Sequence, residues 1–436
     1  MSARRMLLQG GRVLDPASGH DGTADVLIEY GRIAAVGPAL GADRAEDVEV
    51  VDVSGRWVTP AFVDLHVHLR EPGHEYKEDI ASGGRAAVAG GFGTLACMAN
   101  TEPVNDDPSV TDFILDRARQ DSPARVHPVA AATKGLRGEV MTEMVSLMEA
   151  GAVAFSDDGN TIMDSGVARR VLEYSRLVGA PVIVHAEDRG LVGEGVLNEG
   201  AVATRLGLPG NPGLAEAVHV SRDIQLAEMT GAHVHIAHVS TAAGVEMIRR
   251  ARERGVHVTA EVTPHHLALT DEAALGYDTN TKMAPPLRDV ANRDACRAGL
   301  VDGTIDAIAT DHAPHALHEK EVDFCEAPNG IIGLETALSV VLDLVRTGEI
   351  QPLELVQRLT EGPARILARP VGTLTVGAAA DVTVLDPDLR WRYDPTKGFS
   401  KSRNSPWADQ ELVGRALRTY VDGRLVYDLE QGVLAP

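Results

Sequence analysis

Between about residues 57 and 314 the chain alternates short apolar runs with longer segments that mix Ala, Leu, Arg and Glu. The runs occupy residues 58–68, 94–100, 125–133, 152–157, 181–187, 233–240, 256–263 and 306–311. Each is rich in Val, Ile and Ala and closes on a polar cluster, as a strand buried on both faces should. The intervening segments, such as 79–89 and 141–150, read as helices. Eight strands alternating with helices over about 250 residues predict an α/β protein built on a (β/α)8 TIM barrel rather than an open doubly wound sheet. The flanks read differently. Residues 5–8, 25–28 and 33–36, then 380–385 and 418–421, are short β-like segments set between Gly turns. Neither flank can bury a core alone. Residues 1–56 and 371–436 are therefore expected to combine into one small β-sandwich domain beside a barrel of residues 57–370.

In a parallel barrel, reactive groups gather where the strands end at their carboxyl side. The first run ends in His66-Val67-His68, the fourth in Asp157-Asp158, the fifth in His185, the sixth in His238 and the eighth in Asp311-His312. Imidazoles and carboxylates converging from separate strands onto one rim predict a divalent-metal site, with zinc the leading candidate. His66 and His68 are two residues apart, so on a strand both point to one face and can chelate one ion. A lone strand-end histidine is more often a hydrogen-bonded core residue; coincidence at five strand ends is what favours ligands. His233 and His235 lie deeper in the sixth run and are expected to be packing or surface groups. Only one of Asp157 and Asp158 can face the axis. His265 and His266 are candidates for backing the ligands.

Composition narrows the partners. The 436 residues carry a formal charge of −22, which repels phosphate backbones, and no local basic patch offsets it, so no nucleic acid is expected. Aromatic residues are only 4%, so the core must be built mainly from Ala, Val, Leu and Ile. The three cysteines (Cys97, Cys296 and Cys325) form no CxxC pair and suit a reducing compartment. The apolar stretch near the amino terminus is too short for a signal peptide, and no stretch reaches the roughly 18 to 20 apolar residues of a membrane span. A soluble, cytoplasmic protein with no membrane association is expected.

Several motifs carry a resemblance. Residues 64–73 read DLHVHLREPG, 98–101 MANT, 155–159 FSDDG, 309–315 ATDHAPH and 327–330 APNG. Together they resemble bacterial dihydroorotases of the amidohydrolase superfamily, and the likeness extends over nearly the whole chain. The HxH pair alone marks only the superfamily; the combination is far more specific. The resemblance implies two Zn²⁺ per subunit, the first on His66, His68 and Asp311, the second on His185 and His238, with Asp158 bridging them. Related hydantoinases bridge their metals with a carbamylated lysine, but Lys282 is the only lysine between Gly135 and Asp311.

The implied reaction is the reversible, zinc-dependent cyclisation of N-carbamoyl-L-aspartate to dihydroorotate in pyrimidine biosynthesis, with Asp311 as catalytic base and then acid. Substrate binding is implied for His68, Arg70, Asn100, Ala284, His315, Asn329 and Gly330. Arg70 is expected to stay on the strand face of His68 and to grip the substrate carboxylate with Asn100 and His315. One departure stands out: many family members have Asn before the Pro-Pro of the seventh loop, whereas here Ala284 leaves only backbone. Residues 315–326, charged and without a clear period, are a candidate mobile lid. The resemblance leaves room for a homodimer and for assembly with an aspartate transcarbamoylase. Two other readings compete. An allantoinase- or hydantoinase-like cyclic amidase is disfavoured by Arg70 and Asn100, which have no carboxylate to grip on an uncharged ring. A non-catalytic dihydroorotase-like scaffold subunit is disfavoured because all six ligand positions are filled.

Overall fold

In the computed structural model, the described residues are 5–40 and 48–434; residues 1–4, 41–47 and 435–436, which fall within the two expected flanking segments, lie outside them. Eight parallel strands form one sheet: Phe62–Val67, Phe92–Cys97, Arg125–Ala130, Ala154–Ser156, Val182–Val184, Val234–Ile236, Val258–Val262 and Ala307–Ile308. Seven fall inside an apolar run read from the sequence; the second begins two residues before its run, at Phe92. The sheet closes on itself through a parallel bridge between Val67 and His312, with His68 N donating to His312 O at 2.9 Å. The barrel is thus pinned shut next to the histidine pair.

Small residues make this closure possible. Ala96, Ala154, Ala237, Ala307 and Ala309 pack with Val63, Leu65, Val129 and Ile183 in one cluster of the core. Larger side chains, among them Phe62, Phe92, Phe155, Ile224 and Ile248, fill a second cluster that takes in both strand and helix residues. The helices are delimited by local signals. Helix Ile80–Ala89 starts at Asp79, whose carboxylate accepts from Ser82 N at 2.6 Å, and stops at Gly90. Helix Ser165–Val178 starts at Asp164 and ends at Gly179, which takes the left-handed φ of 70° that closes a helix without a Cβ penalty.

Among the described residues, nine strands drawn from both ends of the chain form a second, mixed sheet with its own core of Leu8, Val26, Ile28, Val58, Val382 and Tyr420. The two ends meet where strand Trp57–Pro60 pairs antiparallel with strand Val382–Arg392, setting Val58 opposite Val384. The first apolar run therefore splits. Residues 57–60 belong to this sheet and residues 62–67 to the barrel, with Ala61 N held by Asp381 O at 2.9 Å. Arg125, at the start of the third barrel strand, adds a side-chain tie to Asp381 at 2.6 Å and to Asp422 at 2.9 Å. Among the described residues no helix is long and apolar enough to cross a membrane.

Phe62 sits just after this junction and meets Phe92 edge-on at 5.5 Å between ring centroids. Phe62→Ala is expected to destabilise the protein by about 3–5 kcal/mol, read from urea unfolding. A loss below about 1 kcal/mol would mean the junction is not part of the cooperative core.

Candidate active site

The site is built from strand ends. His66 is the penultimate residue of the first barrel strand, and His68 lies one residue beyond that strand. Asp158 follows the fourth strand, His185 the fifth, His238 the sixth and Asp311 the eighth. Although they come from five strands, their side chains meet. Around Asp158, His66 Nε2 lies 3.4 Å from Oδ1, His68 Nε2 3.4 Å from Oδ2, His238 Nε2 3.5 Å from Oδ1 and His185 Nδ1 3.7 Å from Oδ1. Asp311 Oδ1 lies 3.0 Å from His68 Nε2 and 3.5 Å from His66 Nε2. Asp157, the neighbour, turns away and accepts from Thr133 N at 2.9 Å and from the Thr133 hydroxyl.

These groups are all buried, and their charges are interlocked. Burial pushes the Asp158 and Asp311 carboxyls upward, but the charge of His66 and the bonds from neighbouring imidazoles outweigh it and hold both well below the usual range. Burial opposes protonation of His185, yet Asp158 and Glu187 lift it to about 10. Such a set of donors is matched to a cation. Two ligand atoms roughly 2.0–2.1 Å from one zinc ion at tetrahedral angles are about 3.4 Å apart, close to most of the separations around Asp158. His66 Nε2 and Asp158 Oδ1 are buried and have no hydrogen-bond partner among the described residues. Three overlapping groups bring three ligand atoms each within 4.8 Å of one another: His66, His238 and Asp311; His66, His68 and Asp158; Asp158, His185 and His238. The residues present therefore fit a bound metal.

Above the cluster opens a cavity of about 500 Å³, lined by all seven residues expected to touch substrate. His66 forms no part of that wall and lies beneath it. Arg70 reaches the cavity by a route the sequence reading did not foresee. The strand stops at Val67, so the alternation of faces does not extend to Arg70; a left-handed backbone at φ 62° turns it inward, and its Nε donates to Pro314 O at 3.2 Å. His238 and Asp311 also take positive φ, 33° and 45°. Strain of this kind, of order 1–3 kcal/mol per residue, persists where surroundings over-determine it, typically at functional sites.

Other residues are held by specific partners. Asn100 Oδ1 lies 2.8 Å from His68 Nδ1, which leaves its amide nitrogen for the cavity. His315 Nε2 is engaged by Asn329 O at 2.9 Å. Gly330 must be glycine, because a Cβ there would lie 2.6 Å from Ala313 O and 2.7 Å from the His315 ring. Residues 315–326, the candidate lid, are tied down: Lys320 Nζ donates to Pro328 O at 2.8 Å, and Lys77 pairs with Glu319 at 2.8 Å. Lys282 turns away from the cluster and donates to Cys325 O at 2.9 Å.

Several supporting residues escaped the sequence reading. Glu261 Oε1 lies 2.6 Å from His66 Nδ1, and its other oxygen 3.1 Å from His235 Nε2. Burial would raise the Glu261 carboxyl, but His66 and His235 bring it down to about 2. His235 is therefore neither a surface nor a simple packing group; its imidazole is a buried hydrogen-bonding partner of Glu261. Glu187 braces His185 Nε2 at 3.1 Å, and Asn211 braces Glu187 at 2.8 Å. Asn404, from the carboxyl-terminal flank, donates to Ala313 O at 2.9 Å and Gly330 O at 3.0 Å and accepts from His315 N at 3.1 Å. His266 is bound by Thr263 Oγ1 and Pro285 O at 2.8 and 3.0 Å, so it supports the seventh loop.

A closed parallel barrel with a His/Asp cluster at its carboxyl rim and a β-rich appendage is the architecture of the amidohydrolases. The L-hydantoinase of Arthrobacter aurescens superposes with a TM-score of 0.89, covering 99% of this chain and 97% of that one at 24% identity. The dihydropyrimidinase of Brevibacillus agri gives 0.85, covering 98% and 96%, also at 24% identity. At that identity the likeness establishes the fold alone.

Within this class the sequence relatives are more specific. The family described as Dihydro-orotase-like matches residues 55–243. The dihydroorotase of Anaeromyxobacter dehalogenans (strain 2CP-C) is 56% identical over 425 residues, covering 97% of this chain and 98% of the relative. That of Syntrophotalea carbinolica is 52% identical over 425 residues, covering 98% and 99%. The chain belongs to the dihydroorotase family.

Asp158 contributes to two of the three ligand groups. Asp158→Ala is accordingly expected to lower the zinc retained by purified protein to less than half the wild-type content, measured by mass spectrometry after gel filtration. Undiminished metal would remove Asp158 from the cluster.

Proposed function

We propose that the chain is a dihydroorotase that interconverts N-carbamoyl-L-aspartate and (S)-dihydroorotate at this rim, with two Zn²⁺ per subunit. The observation that carries the reading is the meeting of Asp158 with imidazoles from three further strand ends on the floor of a cavity that also presents the half-buried guanidinium of Arg70. His66, His68 and Asp311 would hold one ion and His185 and His238 the other, with Asp158 shared. Bound there, the ions supply Lewis-acid polarisation of a carbonyl and a lowered pKa for a neighbouring water.

The side chains account for the remaining chemistry. The substrate keeps one carboxylate in both open and closed forms, and Arg70 is suited to it. Its Nε is fixed on Pro314 O, and its two terminal nitrogens make no hydrogen bond among the described residues. Asn100 Nδ2 and His315 flank the same wall. Backbone groups of Asn329 and Gly330, clamped by Asn404, border the ring position, and Ala284 adds backbone without a polar side chain.

Asp311 has one oxygen on His68, while Oδ2 makes no hydrogen bond among the described residues. In ring opening, water adds to the cyclic amide carbonyl, and Asp311 takes its proton and delivers it to the departing ring nitrogen. In ring closure, a protonated Asp311 gives its proton to the side-chain carboxylate, takes the proton that the ureido nitrogen loses as it attacks the carboxyl carbon, and passes it to the departing oxygen, which leaves as water. A cytoplasmic enzyme of pyrimidine biosynthesis follows from this reaction; a homodimer or an aspartate transcarbamoylase partner is compatible with it.

Ala284 gives a second cyclic-amidase reading its only specific support, so the substrate test must include uncharged rings. Purified protein should turn over dihydroorotate and leave allantoin and dihydrouracil untouched; the reverse pattern defeats the proposal. Asp311→Asn is expected to cut kcat by roughly 10²- to 10⁴-fold. Arg70→Ala should raise KM by roughly 10- to 100-fold with a much smaller change in kcat. Kinetics equal to wild type would remove either residue from the reaction.

A further inference from the structure

Behind His66 the barrel interior holds polar side chains that the rim chemistry does not use. Glu261 Oε1 lies 2.6 Å from His66 Nδ1 and Oε2 3.1 Å from His235 Nε2. His235 Nδ1 lies 2.8 Å from Thr259 Oγ1, and the same oxygen lies 2.8 Å from His233 Nε2. The His233 ring stacks on that of His257 at 4.0 Å between centroids and 11° between planes. Strand pairing sets His235 directly beside Thr259. The two-residue spacing of His233 with His235, and of Thr259 with Glu261, keeps each pair on one face of its strand. The line runs back along the sixth and seventh strands, away from the rim.

With neutral rings and an ionised Glu261, donors and acceptors along this line fit in one order. A carboxylate only accepts, so it takes hydrogens from His66 Nδ1 and His235 Nε2. Neutral His235 then has a bare Nδ1, which must accept from the Thr259 hydroxyl. The hydroxyl oxygen in turn accepts from His233 Nε2. At the rim end the consequence is definite. With its hydrogen on Nδ1, neutral His66 has its lone pair on Nε2, the atom that faces Asp158 at 3.4 Å and Asp311 at 3.5 Å. A histidine binds a cation through that lone pair, and the partner of its other nitrogen decides which nitrogen carries it.

We propose that Glu261, His235, Thr259 and His233 act as positioning residues that hold His66 in its cation-binding tautomer, so that a hydroxyl three hydrogen bonds from His66 contributes to metal retention. The inference rests on the reading of the rim as a metal centre and extends it to residues that touch neither metal nor substrate.

Zinc affinity of the full-length protein, measured by competition with a chromogenic chelator, tests it without reference to turnover. Glu261→Gln keeps the shape and removes the charge; it is expected to weaken zinc binding by roughly 10- to 100-fold. Thr259→Val removes only the hydroxyl and is expected to weaken binding several-fold, whereas Thr259→Ser restores it. Circular dichroism and melting of the zinc-free proteins check that each variant folds, and Thr259→Ala, which adds no bulk, carries the same comparison should the valine variant not fold. A wild-type protein that binds no zinc defeats the metal reading itself. Wild-type protein that binds zinc, with Thr259→Val or Thr259→Ala matching its affinity, overturns this inference alone.

Discussion

An enclosed carboxylate needs polar partners close by, and at Asp158 four imidazole nitrogens lie 3.4 to 3.7 Å away. Isolated, such a group would be expelled or neutralised. Here the barrel holds it in place, because His66 and His68, Asp158, His185, His238 and Asp311 each end a different strand run and all runs end at one rim. The cost extends beyond desolvation. Arg70, His238 and Asp311 all adopt left-handed backbone that their side chains disfavour. The surrounding core, closed by the Val67–His312 bridge, supplies the rigidity that keeps those conformations populated.

Much of this was legible in the chain. Strands buried on both faces leave runs of Val, Ile and Ala, so all eight barrel strands could be located before their pairing was known. Their ends named the residues of the His/Asp cluster because a parallel barrel has only one reactive face. What stayed hidden depends on contacts between strands. Glu261 looks like one carboxylate among 63 acidic residues, and its bond to His66 spans 195 positions. The usable cue was a charged residue inside the otherwise buried strand Val258–Val262, two positions from Thr259. His235 was read as packing for the same reason: its partner lies on the neighbouring strand. Asn404 was out of reach altogether, since nothing in the β-rich flank announces that it returns to clamp the loops at the cavity wall.

The hydantoinase-like fold and the dihydroorotase-like sequence describe different layers of the molecule. The barrel and its appended sheet are common to cyclic amidases with 24% identity to this chain. In the proposed function, the residues that separate the substrates are few and sit on loops: Arg70, Asn100, His315 and the backbone at Asn329 and Gly330. Ala284 leaves the seventh loop without a polar side chain at the cavity, so recognition on that side falls to backbone and to shape. The proposed anion recognition is therefore concentrated on the wall formed by the first, second and eighth loops.

The claim on which the account depends is that Asp158 is shared between two cations. Anomalous diffraction at the zinc edge, from crystals of protein that turns over dihydroorotate, tests it most directly. Two peaks flanking Asp158, one near His66 and His68 and the other near His185 and His238, are the predicted result. Active crystals with no peak there, or with one ion that does not touch Asp158, would contradict it.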